Sequence, residues 1–207
     1  KEIYEDPQFQ GMIKNALLWT SGILEGDCSG GIDANYRREV LLAGIDSGME
    51  IDVSSTGDIY FIERFGSVNV YSVKEGKRYE LGLLDVFKKD GYSEFGLLGL
   101  ALDPNYEANS WIYLYYSHPS KPYEILSRLT VNNRKLDKAS ELILLKIPSE
   151  REVCCHIAGS IEFDSEGNLY LATGDYTDFV TSDGYAPQDE EIGNRTSDSR
   201  RTAGNTN

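Results

Sequence analysis

Three stretches of this chain repeat one pattern, and that repeat limits the fold more than any other feature of the sequence. Met49–Ile62, Leu98–Tyr115 and Ser160–Ala172 each read as an alternating strand, a polar turn, and a second alternating strand that carries a tyrosine. Alternation at period two is the mark of a strand with one face buried. Gly57-Asp58, Asp103-Pro104 and Gly167-Asn168 supply the turn chemistry. The matching tyrosines are Tyr60, Tyr113 and Tyr170, 53 and 57 residues apart. Four short strands with their loops fill about 50 residues, which is the period of a propeller blade. Further strands are predicted at Val68–Val73, Glu124–Leu129 and Glu141–Ile147. The competing arrangement is three unrelated hairpins in a β-sandwich. The expected fold class is therefore mainly β: a partial β-propeller of about three blades. Three blades do not close a ring of four to eight, so the natural protein is expected to continue beyond Asn207 and supply the remainder of the propeller.

The segment before the repeat reads differently. Asp6-Pro7 provides an N-cap and a proline at the first helical position. Phe9, Met12, Ile13, Ala16 and Leu17 follow at helical spacing, and Gly22 can end the helix. A short N-terminal helix is expected in residues 1–26, then a Gly- and Asp-rich linker over 27–39, then the propeller from residue 40.

Composition closes off some functions. The chain has 207 residues, of which 40% are hydrophobic and 26% charged, so a packed core is available and disorder is not expected. Its net charge is -14, from 20 Lys and Arg against 34 Asp and Glu. Such a surface repels a phosphate backbone, which argues against nucleic acid as a partner. No run of 18 apolar residues is present, so no membrane-spanning helix is expected. Cys28, Cys154 and Cys155 are an odd set. The adjacent pair could form a vicinal disulfide, favoured in an oxidising compartment, or remain as two thiols. No cysteine spacing suits structural zinc or haem attachment.

Candidate chemistry gathers around one histidine. His118 lies in Tyr-Tyr-Ser-His-Pro-Ser and reads as a turn residue. His156 lies in Cys154-Cys-His-Ile-Ala-Gly-Ser, just before the first strand of the third hairpin, and Asp175 follows the second strand of that hairpin. Antiparallel pairing brings such ends together. An aspartate accepting from one imidazole nitrogen fixes the tautomer and raises the basicity of the other, as a general base requires. The alternative is a purely structural His–Asp hydrogen bond at a blade corner. Glu94 opens a glycine-containing strand from a loop, where solvent exposure is the ordinary outcome. No metal ligands are assigned within the chain. The polar run from Tyr176 to Asn207 reads either as a tail or as a long loop between blades.

These residues resemble a known family. Phe95-Gly-Leu-Leu-Gly-Leu-Ala-Leu-Asp-Pro-Asn-Tyr106, Trp111-Ile-Tyr-Leu-Tyr-Tyr-Ser117, His156, Gly159-Ser-Ile-Glu-Phe-Asp164 and Gly167-Asn-Leu-Tyr-Leu-Ala-Thr-Gly-Asp175, in that order, look like the glucose/sorbosone dehydrogenases. The resemblance covers roughly residues 40–207, about half of a family domain. It implies a six-bladed propeller and oxidation of an aldose with the quinone cofactor PQQ and Ca²⁺. In that reading His156 takes the proton of the sugar C1 hydroxyl, hydride passes to PQQ, and Asp175 orients His156. Glu94 falls where family members often carry a glutamine that touches the cofactor, so the resemblance implies Glu94 as the cofactor-binding residue, with an acid in place of the family's amide. The basic clamp for the PQQ carboxylates and the calcium ligands would lie beyond Asn207. The Cys154-Cys155 pair resembles a multidomain bacterial branch in which the propeller follows a ThuA-like domain. Tyr4–Phe9 and Ile13–Gly22 look like the closing helix of that domain. The resemblance also implies a periplasmic or extracellular location and a small-molecule sugar substrate. The alternative function is a non-catalytic propeller that binds carbohydrate or protein.

Overall fold

The computed structural model describes residues 39–89, 93–149, 151 and 155–174. The predicted N-terminal helix, the linker and Asp175 lie outside the described residues, as do Cys28, Cys154 and the run from Tyr176 onward. Among the described residues, ten strands and one helical turn follow in order: β1 (Gly48–Val53), β2 (Ile59–Glu63), β3 (Ser67–Ser72), β4 (Lys77–Leu83), β5 (Leu97–Leu102), α1 (Tyr106–Asn109), β6 (Trp111–Ser117), β7 (Tyr123–Asn132), β8 (Lys135–Pro148), β9 (Ala158–Phe163) and β10 (Leu169–Thr173). They form two four-stranded antiparallel meanders, β1-β2-β3-β4 and β5-β6-β7-β8, and a hairpin of β9 with β10. These are two full blades and the first two strands of a third. The structure is a partial β-propeller, mainly β, as the repeat predicts.

Each hairpin is built alike. The repeat tyrosines stand on the second strand of each blade, opposite Asp52, Ala101 and Glu162. Their recurrence has a local cause. The Tyr113 hydroxyl donates to Asp103 at 3.0 Å and the Tyr170 hydroxyl to Asp164 at 3.1 Å, so each ties a strand to the acid that organises its own turn. Asp164 also accepts from the Glu166 and Asn168 amides at 2.9 and 2.8 Å, an Asx-type turn. In the first blade Ser54 holds the corresponding turn, and the Tyr60 hydroxyl instead accepts from Tyr106 at 3.0 Å.

Packing explains why the second blade reads as Leu-Leu-Gly-Leu-Ala-Leu with no polar position. Leu97, Leu100, Leu102, Ile112, Leu114 and Ile125 turn one way, against Ile62, Val68, Val70 and Leu81 of the first blade. Leu98, Ala101, Tyr115 and Leu126 turn the other way, against Ile157 and Ile161 of the third. A sheet covered on both faces needs apolar residues at consecutive positions. Gly99 permits the second contact: a Cβ there would run into the Gly159 carbonyl and stand 3.0 Å from Ile161 Cγ1.

The predicted strands at 68–73, 124–129 and 141–147 correspond to β3, β7 and β8, though β7 and β8 are longer than expected. β4 escaped the sequence reading because only Leu81 on it is buried, leaving no hydrophobic alternation to detect. The first blade is open on its far side, where Ile51 and Val53 are 66% and 54% exposed.

Candidate functional site

The site is set by the entrance to the third blade. Ile157 is fully buried between the second and third blades. Its carbonyl accepts from the Gly174 amide at 2.9 Å, just past the last pairing of β10 with β9, Thr173 opposite Ala158. Its amide donates to Glu94 Oε2 at 3.2 Å. Ile157 is thus fixed by side chain, amide and carbonyl together. His156 precedes this anchor and is exposed. The backbone here is unusual: His156 and Ala158 adopt φ of 59° and 55°, and Gly159 a φ of 142°. Left-handed backbone in non-glycine residues persists where surrounding contacts over-determine it, and it concentrates at functional sites. Cys155, one residue earlier, is buried and disulfide-bonded.

The loop that carries Glu94 is itself pinned. The Arg64 guanidinium donates to the Ser93 carbonyl, and the Arg64 carbonyl accepts from the Leu97 amide at 2.8 Å. The Gly96 amide donates to Ser117 Oγ at 3.1 Å. Gly96 has a φ of 149°, and its bare Cα lies against the Arg64 carbonyl, where any side chain would collide.

A cleft of about 490 Å³ lies between these elements, lined by Met49, Glu50, Leu98 and Ala172 together with Glu94 and the stretch from Ala158 to Ser160. Glu50, on the wall of the cleft, joins three blades. One carboxylate oxygen accepts from the Leu100 amide of β5 at 2.8 Å, and the other from Ser160 Oγ of β9 at 2.5 Å. Burial raises its carboxyl above the ordinary range, against the lowering effect of those bonds. Asp52, two residues along β1, accepts from the Leu102 amide at 2.7 Å. These acids satisfy amides on the open edge of β5 that a neighbouring strand would otherwise bond.

The sequence-predicted residues are distributed as follows. Glu94 lines the cleft and contacts the His156–Ile157 peptide. His156 adjoins the cleft-lining segment. Asp175 is covalently next to Gly174 but is not described. His118 caps a turn, its Nδ1 accepting from the Ser120 and Lys121 amides at 3.1 Å each, as its sequence context suggests. Glu50 and Ser160 were missed. A signal was present in the inverted pattern Glu50-Ile51-Asp52-Val53, whose acids face the next blade while Ile51 and Val53 face outward.

Comparison with known proteins follows the same lines. The glucose/sorbosone dehydrogenase family model matches residues 45–195. Mouse Hedgehog-interacting protein is 27% identical over 169 residues, which cover 70% of this chain and 24% of that protein. A putative oxidoreductase (glucose dehydrogenase) from Thermus thermophilus superposes with a TM-score of 0.59 at 25% identity, over 66% of this chain and 40% of that one. The PQQ-bound aldose sugar dehydrogenase of Streptomyces coelicolor superposes with a TM-score of 0.58 at 24% identity, over 68% and 41%. The chain therefore spans about a quarter of the curated relative and two fifths of these solved structures. The repeated blades, the His156 entrance to the third blade and the family match across most of the sequence agree: this chain belongs to the glucose/sorbosone dehydrogenase family.

Proposed function

We propose that the chain is part of a sugar dehydrogenase in which His156 is the general base for an aldose C1 hydroxyl. The observation that carries this reading is the anchoring of Ile157. It presents the exposed imidazole of His156 from a backbone that cannot swing, beside a cleft of sugar size. A base must meet its proton at hydrogen-bond distance, so a fixed backbone is the first requirement. The proton of the C1 hydroxyl oxygen passes to the imidazole, and Asp175, next in the chain after Gly174, is assigned to orient the ring. A bound redox cofactor would supply the oxidation by accepting hydride from C1; the similar Streptomyces coelicolor structure is a PQQ-bound form.

The described cleft residues do not fit that cofactor by themselves. PQQ is a tricarboxylate, and the cleft wall offers the carboxylates of Glu50 and Glu94 and no Lys or Arg. Glu50 and Ser160 suit the hydroxyls of a neutral sugar. Nor do three His, Cys, Asp or Glu side chains converge on a metal position among the described residues, so neither calcium nor any step through the cofactor is assigned to them. The disulfide at Cys155 supports a periplasmic or extracellular location.

The test is the full-length protein supplied with PQQ and Ca²⁺, with dye reduction followed across a panel of aldoses. Sugar-dependent reduction is expected, and its absence for every aldose contradicts the proposal. A second reading has one observation in its favour, the similarity to mouse Hedgehog-interacting protein. In that reading the propeller is a non-catalytic module for carbohydrate or protein. Measurable sugar or protein binding without redox activity selects it.

A further inference from the structure

We infer that Glu94 is a positioning residue for His156, acting through the peptide that links His156 to Ile157. The inference rests on the reading of His156 as the base. The peptide plane is gripped at both ends. Its N–H, on Ile157, donates to Glu94 Oε2 at 3.2 Å. Its carbonyl, on His156, lies against the bare Cα of Gly174, where an added Cβ would clash outright. The orientation of this plane sets ψ of His156, whose φ is already held at 59°. Those two torsions fix the direction of the His156 Cα–Cβ bond relative to the flanking peptides, and so where the imidazole is rooted. Glu94 is a fitting clamp because its own loop is tied to Arg64 and Ser117 on either side.

The mechanism makes a distinction that charge-based roles do not. The clamp needs an acceptor oxygen, not a negative charge, so Glu94→Gln retains it and Glu94→Ala removes it. Glu94 is exposed, and neither change disturbs the core. The experiment uses the full-length protein with two readouts. Residue-resolved hydrogen exchange reports the Ile157 amide, and steady-state kinetics with an aldose, PQQ and a dye report turnover. In Glu94→Ala the Ile157 amide should exchange about tenfold faster, the loss of one hydrogen bond. Its kcat should fall about 10- to 100-fold, the effect of a displaced base, while KM changes by less than about threefold. In Glu94→Gln both readouts should stay within about threefold of the parent. Unchanged Ile157 exchange in Glu94→Ala overturns the inference. So does a Gln variant as impaired as the Ala variant, because charge would then be the working feature. If the parent shows no dye reduction while Ile157 exchange still separates Ala from Gln, the clamp stands and the sugar-dehydrogenase reading fails.

Discussion

Gly99→Ala isolates the contact that packs the second blade against the third. The backbone of Gly99 lies in an ordinary region of φ, so the substitution adds no torsional strain and tests space alone. The new Cβ would stand 3.0 Å from Ile161 Cγ1 and far inside contact distance of the Gly159 carbonyl oxygen. Ile161 can shift its side chain. The carbonyl cannot, because it belongs to the backbone of β9, and Gly159 already lies close against Tyr115 and Leu98 of the second blade. Whole strands must therefore separate. Overpacking a core costs about 1–3 kcal/mol, and a clash with fixed backbone belongs at the upper end, about 3 kcal/mol. That corresponds to a fall in Tm of about 6–12 °C for a domain of this size. Gly57→Ala provides the opposite control. Its φ of 87° is left-handed and nothing lies within 4 Å, so it incurs only the torsional cost, about 1 kcal/mol. Urea unfolding of the full chain compares the two. If Gly99→Ala is no more destabilising than Gly57→Ala, the blades do not meet through these glycines and the packing argument is wrong.

Glu124 offers a pH-dependent test. It is fully buried on β7, its polar neighbours are Ser117, Ser149 and Arg151, and neither carboxylate oxygen makes a well-formed hydrogen bond. Burial pushes its carboxyl up, and the hydroxyls and Arg151 offset this only in part. The unfolded chain releases this proton near pH ~4.3 while the folded chain keeps it to higher pH. Stability from this group is therefore complete below that pH and declines as pH rises toward the folded value. Glu124→Gln should match the parent's stability most closely at pH 4 and gain on it by pH 8; a pH-independent difference in urea midpoint refutes the assignment. Tyr113→Phe should cost about 1 kcal/mol, since it strips a bond to Asp103, whereas Tyr170→Phe should cost under about 0.5 kcal/mol because Tyr170 is 59% exposed. Thermal melts of the two variants should differ in that order, and equal losses would contradict it. Leu114→Ala, at a fully buried position between the first two blades, should cost about 2–5 kcal/mol in the same assay.

The blades could be read because their cause is local. Turn acids bond the tyrosines that follow them, and strands covered on one or both faces alternate or run apolar accordingly. β4 could not be read because it buries little and so leaves no pattern. The same contrast holds at the site. His156 stood out by its scarcity and by its place before a strand, and Glu94 by its place on the loop before a glycine-containing strand and by the family resemblance. Nothing in the residue types reveals that His156 and Ala158 take left-handed backbone, or that Glu94 bonds the peptide between His156 and Ile157. Those features arise from contacts between blades that lie 63 residues apart in sequence. The three-blade junction at Glu50 has the same origin, with Ser160 lying 110 residues away. Sequence distance on this scale hides partners even where each residue type is suggestive.

The central claim is that His156 removes a sugar proton. It is tested most directly by replacing His156 with asparagine in the full-length protein and measuring aldose-dependent dye reduction with PQQ and Ca²⁺ across pH. In that variant kcat should fall by at least about 100-fold, the scale of a lost general base, with sugar binding retained. A His156→Asn protein that turns over sugar at the parent's rate would contradict that role.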